Sequence, residues 1–135
     1  MRPCHRILVA DDEAPVLQLM TIALARSGYQ VDTAEDGAIA WAAVQAKAYD
    51  LLITDHHMPK VTGLELVKNL RSARMALPVV MVSGELPSRE LAQNPSLQLA
   101  ATLQKPFAVV DLLATVENVL RATKNPHEQI KPPPD

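Results

Sequence analysis

The sequence predicts a doubly wound α/β domain, a five-stranded parallel sheet with helices on both faces, and three observations carry that prediction. Short, continuous apolar runs alternate five times with longer segments of helical periodicity. The connections between them are short, and a βα series with short crossovers forces parallel strands joined by right-handed units. Apolar residues make up 48% of the 135-residue chain and aromatics only 3%, so the core must be built in layers of Ala, Val, Leu, Ile and Met.

Each element has its own signal. Ile7 to Ala10 is an apolar run of strand length ending in two acids, the pattern of a strand buried on both faces. Pro15 opens a helix with Val16, Leu19, Met20, Ala23 and Leu24 along its inner side and Gly28 at its stop. Gln30 to Ala34 is a second strand, Asp36-Gly37 its turn, and Ile39 to Ala48 an Ala-rich second helix. Asp50 to Thr54 is the third strand. Beyond Pro59 and Gly63, the residues Leu64, Leu66, Val67 and Leu70 mark a third helix, and Pro78 leads into a fourth strand, Val79 to Ser83. Ser88 to Gln93 is a short fourth helix cut off by Pro95, with Asn94 to Gln98 as loop. Ala100 to Gln104 is the fifth strand, and Ala108 to Thr123 the last helix, with Val109, Leu112, Leu113, Val116 and Leu120 inward. The domain is expected over residues 1–123, and the Pro-rich residues 124–135 read as a disordered tail or linker.

Composition excludes several functions. A length of 135 residues buries roughly two thirds of the unfolded surface, enough for one core without staples. The net charge of -2, with Lys and Arg scattered, lacks the basic footprint of a nucleic-acid binder. Cys4 has no second thiol to pair with, which fits a reducing, cytosolic setting. Neither a signal peptide nor a stretch near the ~20 apolar residues of a membrane span is legible.

In a doubly wound sheet, ligands bind beyond the carboxyl ends of the strands. Those ends carry Asp11 and Asp12 after the first strand, Asp55 after the third, Ser83 at the fourth and Lys105 after the fifth. Two carboxylates ~4 Å apart repel by roughly 4 kcal/mol at an effective dielectric near 20, so three of them call for a cation. Hard oxygen donors without Cys suit Mg²⁺.

These residues resemble the receiver domains of two-component response regulators over about residues 5 to 122. Val9-Ala10-Asp11-Asp12-Glu13 is similar to the family's acidic segment, and Leu52-Ile53-Thr54-Asp55 to its phospho-acceptor strand. Met58-Pro59 with Gly63, Val82-Ser83-Gly84 and Lys105-Pro106-Phe107 match its acceptor loop, hydroxyl and lysine motifs. Any one is weak evidence, whereas all five in order are specific.

The resemblance implies a flavodoxin-like fold with strand order 2-1-3-4-5. It implies that Asp55 accepts a phosphoryl group from the phosphohistidine of a sensor histidine kinase or phosphotransfer protein. The chain would then be a switch that catalyses its own aspartyl phosphorylation and dephosphorylation, not a metabolic enzyme. Asp12, Asp55 and the carbonyl of His57 would hold Mg²⁺ and Asp11 would act through an intervening water. Lys105 and Ser83 would bind phosphoryl oxygens, Pro106 would be a cis-proline, and His57 and Glu85 would tune phosphoryl loss. An effector would read the fourth helix, fifth strand and fifth helix, and a second copy of the chain is a further candidate partner. In one place the pattern departs from the family: the aromatic residue usually found three residues before the lysine is Thr102 here.

Blander readings stand beside these. Asp12 can serve as the N-cap of the first helix, Asp55 can cap a turn before Pro59, and Ser83 can cap the fourth helix. On an extended segment His56 and His57 would point opposite ways, and no third His or Cys lies at zinc-ligand spacing. Trp41 reads as a packing or partner residue, Cys4 as an inert thiol, and His5 and His127 as solvated chain ends. A phosphorylation-independent pseudo-receiver module stays open as the alternative. A Mg²⁺-dependent phosphohydrolase lacks its second acid, and an FMN site lacks its phosphate cradle.

Overall fold

A computed structural model describes residues 4–123, so the expected tail at 124–135 lies outside the described residues. The elements run β1 (Arg6–Ala10), α1 (Ala14–Arg26), β2 (Gln30–Ala34), α2 (Gly37–Ala46), β3 (Leu51–Thr54), α3 (Gly63–Ser72), β4 (Val79–Ser83), α4 (Ser88–Gln93), β5 (Ala101–Gln104) and α5 (Val109–Thr123). All strand pairs are parallel and the order is β2-β1-β3-β4-β5. The chain is therefore a flavodoxin-like α/β fold with its strand order reversing between β1 and β3.

Alternation along the central strands splits the core in two. Leu8, Ala10, Leu52, Val79 and Met81 face α2 and α3, together with Ala40, Val44, Leu66, Val67 and Leu70. Ile7, Val9, Leu51, Ile53, Val80 and Val82 face α1 and α5, together with Leu17, Met20, Leu24, Leu112, Val116 and Leu120. Strands covered on both faces must be apolar throughout, which is why the sequence shows runs rather than alternation. Trp41 packs half-buried on the α2 side.

The structure corrects some expectations. Leu19 is 46% exposed and Leu17 takes the inward place, because Leu17, Met20, Ala23 and Leu24 share one stripe at spacings of three and four. Val109 opens α5 and is exposed; a helical side chain leans back over the preceding turn, and Val119 supplies the inward contact instead. The second helix stops at Ala46 rather than Ala48. Asn94 to Gln98 is not plain loop, since Pro95–Leu97 forms a 3₁₀ turn that buries Leu97.

Candidate functional site

The backbone ladder continues past the strand ends and fixes the site residues in place. Asp11 N–H donates to Ala34 O (3.1 Å), Asp55 N–H to Ala10 O (2.9 Å) and Lys105 N–H to Ser83 O (2.9 Å). Three side chains on three separate loops are thereby aimed at one point. The loop after Asp55 is pinned behind it, where Gly63 N–H donates to His56 O (2.8 Å) and a Cβ on Gly63 would collide with the Asp55 carbonyl oxygen. Glycine is required there by close approach rather than by an unusual dihedral.

Asp11, Asp12 and Asp55 each bring a carboxylate oxygen within 4.8 Å of the others. Asp11 and Asp55 are buried while Asp12 is exposed. Lys105 Nζ donates to Asp11 Oδ2 (2.9 Å), Asp55 Oδ2 (3.1 Å) and Glu13 Oε1 (2.9 Å). Glu13 is a member of the site that sequence reasoning quoted only as part of a motif; its side chain remains 60% exposed and reaches in from the start of α1. Burial raises the Asp11 pKa, against the lowering effect of hydrogen bonds from Lys105 and from Glu13 N–H. Burial would lower the pKa of Lys105, but its bonds to Asp11, Glu13 and Asp55 outweigh that and raise it. At neutral pH the ammonium is fixed as a countercharge.

Several predicted residues take their place around this centre. Asp55 Oδ1 accepts from His56 N–H (2.6 Å) and more weakly from His57 N–H (3.4 Å), so it closes a turn as well as facing the acids. Asp12 does not cap α1, whose N-cap residue is Glu13 without a side-chain cap bond. Ser83 does not cap α4, whose N-cap position is Pro87; it is fully buried and its hydroxyl donates to Glu85 O at 3.4 Å. His57 and Glu85 are exposed. Thr102 is exposed on the edge strand β5 opposite Met81, and the Lys105-Pro106 peptide bond is cis. The two histidines do not diverge as an extended segment would require. The chain bends there, so the rings meet edge-on with centroids 4.8 Å apart, and His56 Nδ1 accepts from Leu64 N–H (3.3 Å).

A hard-oxygen donor set of this size, two of its members buried, matches what Mg²⁺ asks for: one or two carboxylates with further oxygens completing the shell. The acidic cluster can hold a metal ion. Its position at the strand-order reversal is where this fold places ligands.

The model of the response regulator receiver domain matches residues 7–117. This chain belongs to that family. It is 34% identical over 121 residues to the alkaline phosphatase synthesis transcriptional regulatory protein PhoP of Bacillus subtilis, covering 88% of this chain and 50% of that protein. It is 34% identical over 119 residues to the response regulator MprA of Mycobacterium avium, covering 88% of this chain and 52% of the relative. The receiver thus spans about half the length of the curated relatives it matches. Among solved structures, the chemotaxis protein CheY4 of Vibrio cholerae superposes with a TM-score of 0.80 at 32% identity, over 87% of this chain and all of that one (100%). The response regulator TrrA of Thermotoga maritima, solved in complex with Mg(2+)-BeF, superposes with a TM-score of 0.77 at 29% identity, over 86% of this chain and 99% of that one. Receiver domains are signalling switches of two-component systems, and this chain is one of them.

Proposed function

We propose that residues 1–123 accept a phosphoryl group on Asp55 from the phosphohistidine of a sensor histidine kinase or phosphotransfer protein. The observation that carries the reading is the convergence of Asp11, Asp12, Asp55 and Lys105 at one strand edge. A carboxylate oxygen of Asp55 attacks phosphorus, the P–N bond breaks, and the imidazole leaves with the bonding pair. Asp12, Asp55, the His57 carbonyl and Asp11 would hold Mg²⁺, which supplies neutralisation of the phosphoryl oxygens when bound. The likeness to a regulator solved with Mg(2+)-BeF supports that choice. Lys105 supplies a second positive charge that is already in place, and Ser83 supplies a hydroxyl for a phosphoryl oxygen.

His57, two residues after Asp55, and Glu85, two after Ser83, are exposed and would set how readily water reaches the phosphoryl group. A new dianion at Asp55 would draw the Ser83 loop inward and bias a pre-existing equilibrium read by an effector, or a second copy of the chain, on α4, β5 and α5. With Thr102 in place of an aromatic ring, that coupling runs through the loop alone. The reading involves no direct nucleic-acid contact by these residues and a cytosolic setting, supported by the exposed free thiol of Cys4. No helix among the described residues is long and apolar enough to cross a membrane.

Incubation of wild type and Asp55→Asn with acetyl phosphate or phosphoramidate, with and without Mg²⁺, followed by intact-protein mass spectrometry, tests the proposal. A metal-dependent gain of one phosphoryl group in wild type alone is expected. A folded wild type that gains none would replace this reading with the phosphorylation-independent module, which the exposed Thr102 would then favour.

A further inference from the structure

The opposite end of the sheet carries a cleft that phosphoryl transfer does not use. It lies between the end of α3 and the 3₁₀ turn, on the amino-terminal side of β4 and β5, so the length of the sheet separates it from Asp55. Its volume is about 620 Å³, within the range of small-molecule sites. Its polar lining includes the cations Lys68, Arg71 and Arg74 together with Asn94 and Gln98, and neither Asp nor Glu is among the lining residues.

Arg71 is half-buried, and all its acceptors are carbonyls: Leu97 O (2.8 Å), Met75 O (2.7 Å), Leu77 O (2.9 Å) and Gln98 O (3.4 Å). Those dipoles hold the guanidinium but leave its charge uncancelled. Among the described residues neither Lys68 nor Arg74 has a carboxylate oxygen within 4 Å. The backbone adds a second observation. Met75 N–H bonds Leu70 O (2.9 Å) and Arg74 N–H bonds Arg71 O (3.0 Å), a Schellman closure with Arg74 at the left-handed position, φ 60. Glycine is the residue that conformation favours. Gln98, across the cleft, is also left-handed at φ 53. Strained backbone is informative when it presents a side chain, and here two of three such non-glycine residues present theirs to one cleft. The closure also occupies two of the last α3 carbonyls, whose partial negative charge would otherwise repel an anion.

We propose that this cleft binds a small polyphosphate anion. Several negative charges are needed to match three cations, and the free planar fork of Arg74 pairs with phosphate oxygens two at a time. With no aromatic side chain in the lining, nothing would stack on a base, so the diphosphate portion carries recognition.

The test is an NMR titration of the full chain with pyrophosphate in metal-free buffer at constant ionic strength, where the acids around Asp55 repel the probe. Saturable shifts confined to residues 68–76 and 94–98 are expected, weakened at least tenfold by Lys68→Glu and by Arg74→Gly. Arg74→Gly relieves the left-handed strain, so it should melt at or above the wild-type temperature, which separates loss of binding from loss of fold. Co-sedimentation with phosphatidylcholine vesicles carrying a diphosphorylated inositol headgroup, displaced by pyrophosphate, would identify the anion as a lipid headgroup. Saturation without co-sedimentation would identify it as a free one. Shifts that fail to saturate, that chloride reproduces, or that persist in Arg74→Gly would overturn the proposal.

Discussion

Tyr49 follows α2 and donates its hydroxyl to Asp32 Oδ2 at 2.7 Å, with Lys47 3.4 Å from the same oxygen. The bond from Tyr49 is the main reason the Asp32 pKa is lowered. Burial first, then the bond to Asp32, pushes the phenol up to about 12. A depressed acid contributes stability above its unfolded pKa of 3.8, lost as pH falls through the folded value. A raised phenol contributes stability below pH 10.0, lost as pH rises toward about 12. Tyr49→Phe should therefore cost about 0.5–1 kcal/mol near neutral pH, solvent screening at half-exposed Asp32 keeping the figure low. The variant should also flatten the loss of stability above pH 10.0 in urea titrations, and an unchanged alkaline limb would remove the pair as its cause. The acids, hydroxyl and lysine of the candidate site were legible as residues because a parallel sheet must bring its carboxyl-terminal edges together. Glu13 was not, since its reach to Lys105 depends on a rotamer at the start of α1. Nor was Arg71, because a side chain that binds only carbonyls has no partner visible in sequence.

The loops that join the elements are held by close approach as much as by hydrogen bonds. Gly63 opens α3 directly against the carbonyl of Asp55, the proposed acceptor. Gly63→Ala should cost about 1–3 kcal/mol in chemical denaturation, as overpacked sites do, and slow phosphorylation by displacing Asp55. Gly84→Ala, with nothing within 4 Å of its Cβ, should stay within about 0.5 kcal/mol of wild type. Helices differ in the same way. α3 has a full capping box between Thr62 and Glu65 and five buried residues, whereas the six-residue α4 has no side-chain cap and none buried. Native-state hydrogen exchange should show amides of residues 91–94 opening at a small fraction of the free energy that protects residues 66–70. Equal protection would mean that α4 is held by contacts its burial does not reveal. The strands were readable because continuous apolar runs bounded by acids or prolines have few competing explanations. Helix facing was less so, since Leu17 and Leu19 both fit an apolar stripe until burial in the layer that α1 shares with α5 selects one.

Across the whole molecule the parallel sheet was legible from apolar runs and short crossovers, whereas the strand order came from the family resemblance, and which strand residues face which helices had to wait for the packed layers. The charge arrangement at the switch point was less accessible. Composition reveals three acids and one lysine, but not that the ammonium sits against two buried carboxylates with 15% of its side chain exposed. That arrangement would couple Lys105 to a metal ion held by the proposed site. In wild type the ammonium already offsets part of the repulsion among Asp11, Asp12 and Asp55, so a divalent cation entering the cluster gains less than it would from bare acids. Lys105→Ala should lower stability by about 3 kcal/mol in metal-free buffer, since removing one partner strands buried charge. Added Mg²⁺ should then raise the melting temperature of the variant more than that of wild type. Binding stabilises by about 2.7 kcal/mol at a hundredfold excess over Kd, and Kd should be smaller where no ammonium competes for the same oxygens. The gap between the two melting curves should therefore narrow as Mg²⁺ rises. A gap that stays constant would mean that lysine and metal occupy the acids independently, and that Lys105 serves the phosphoryl group alone.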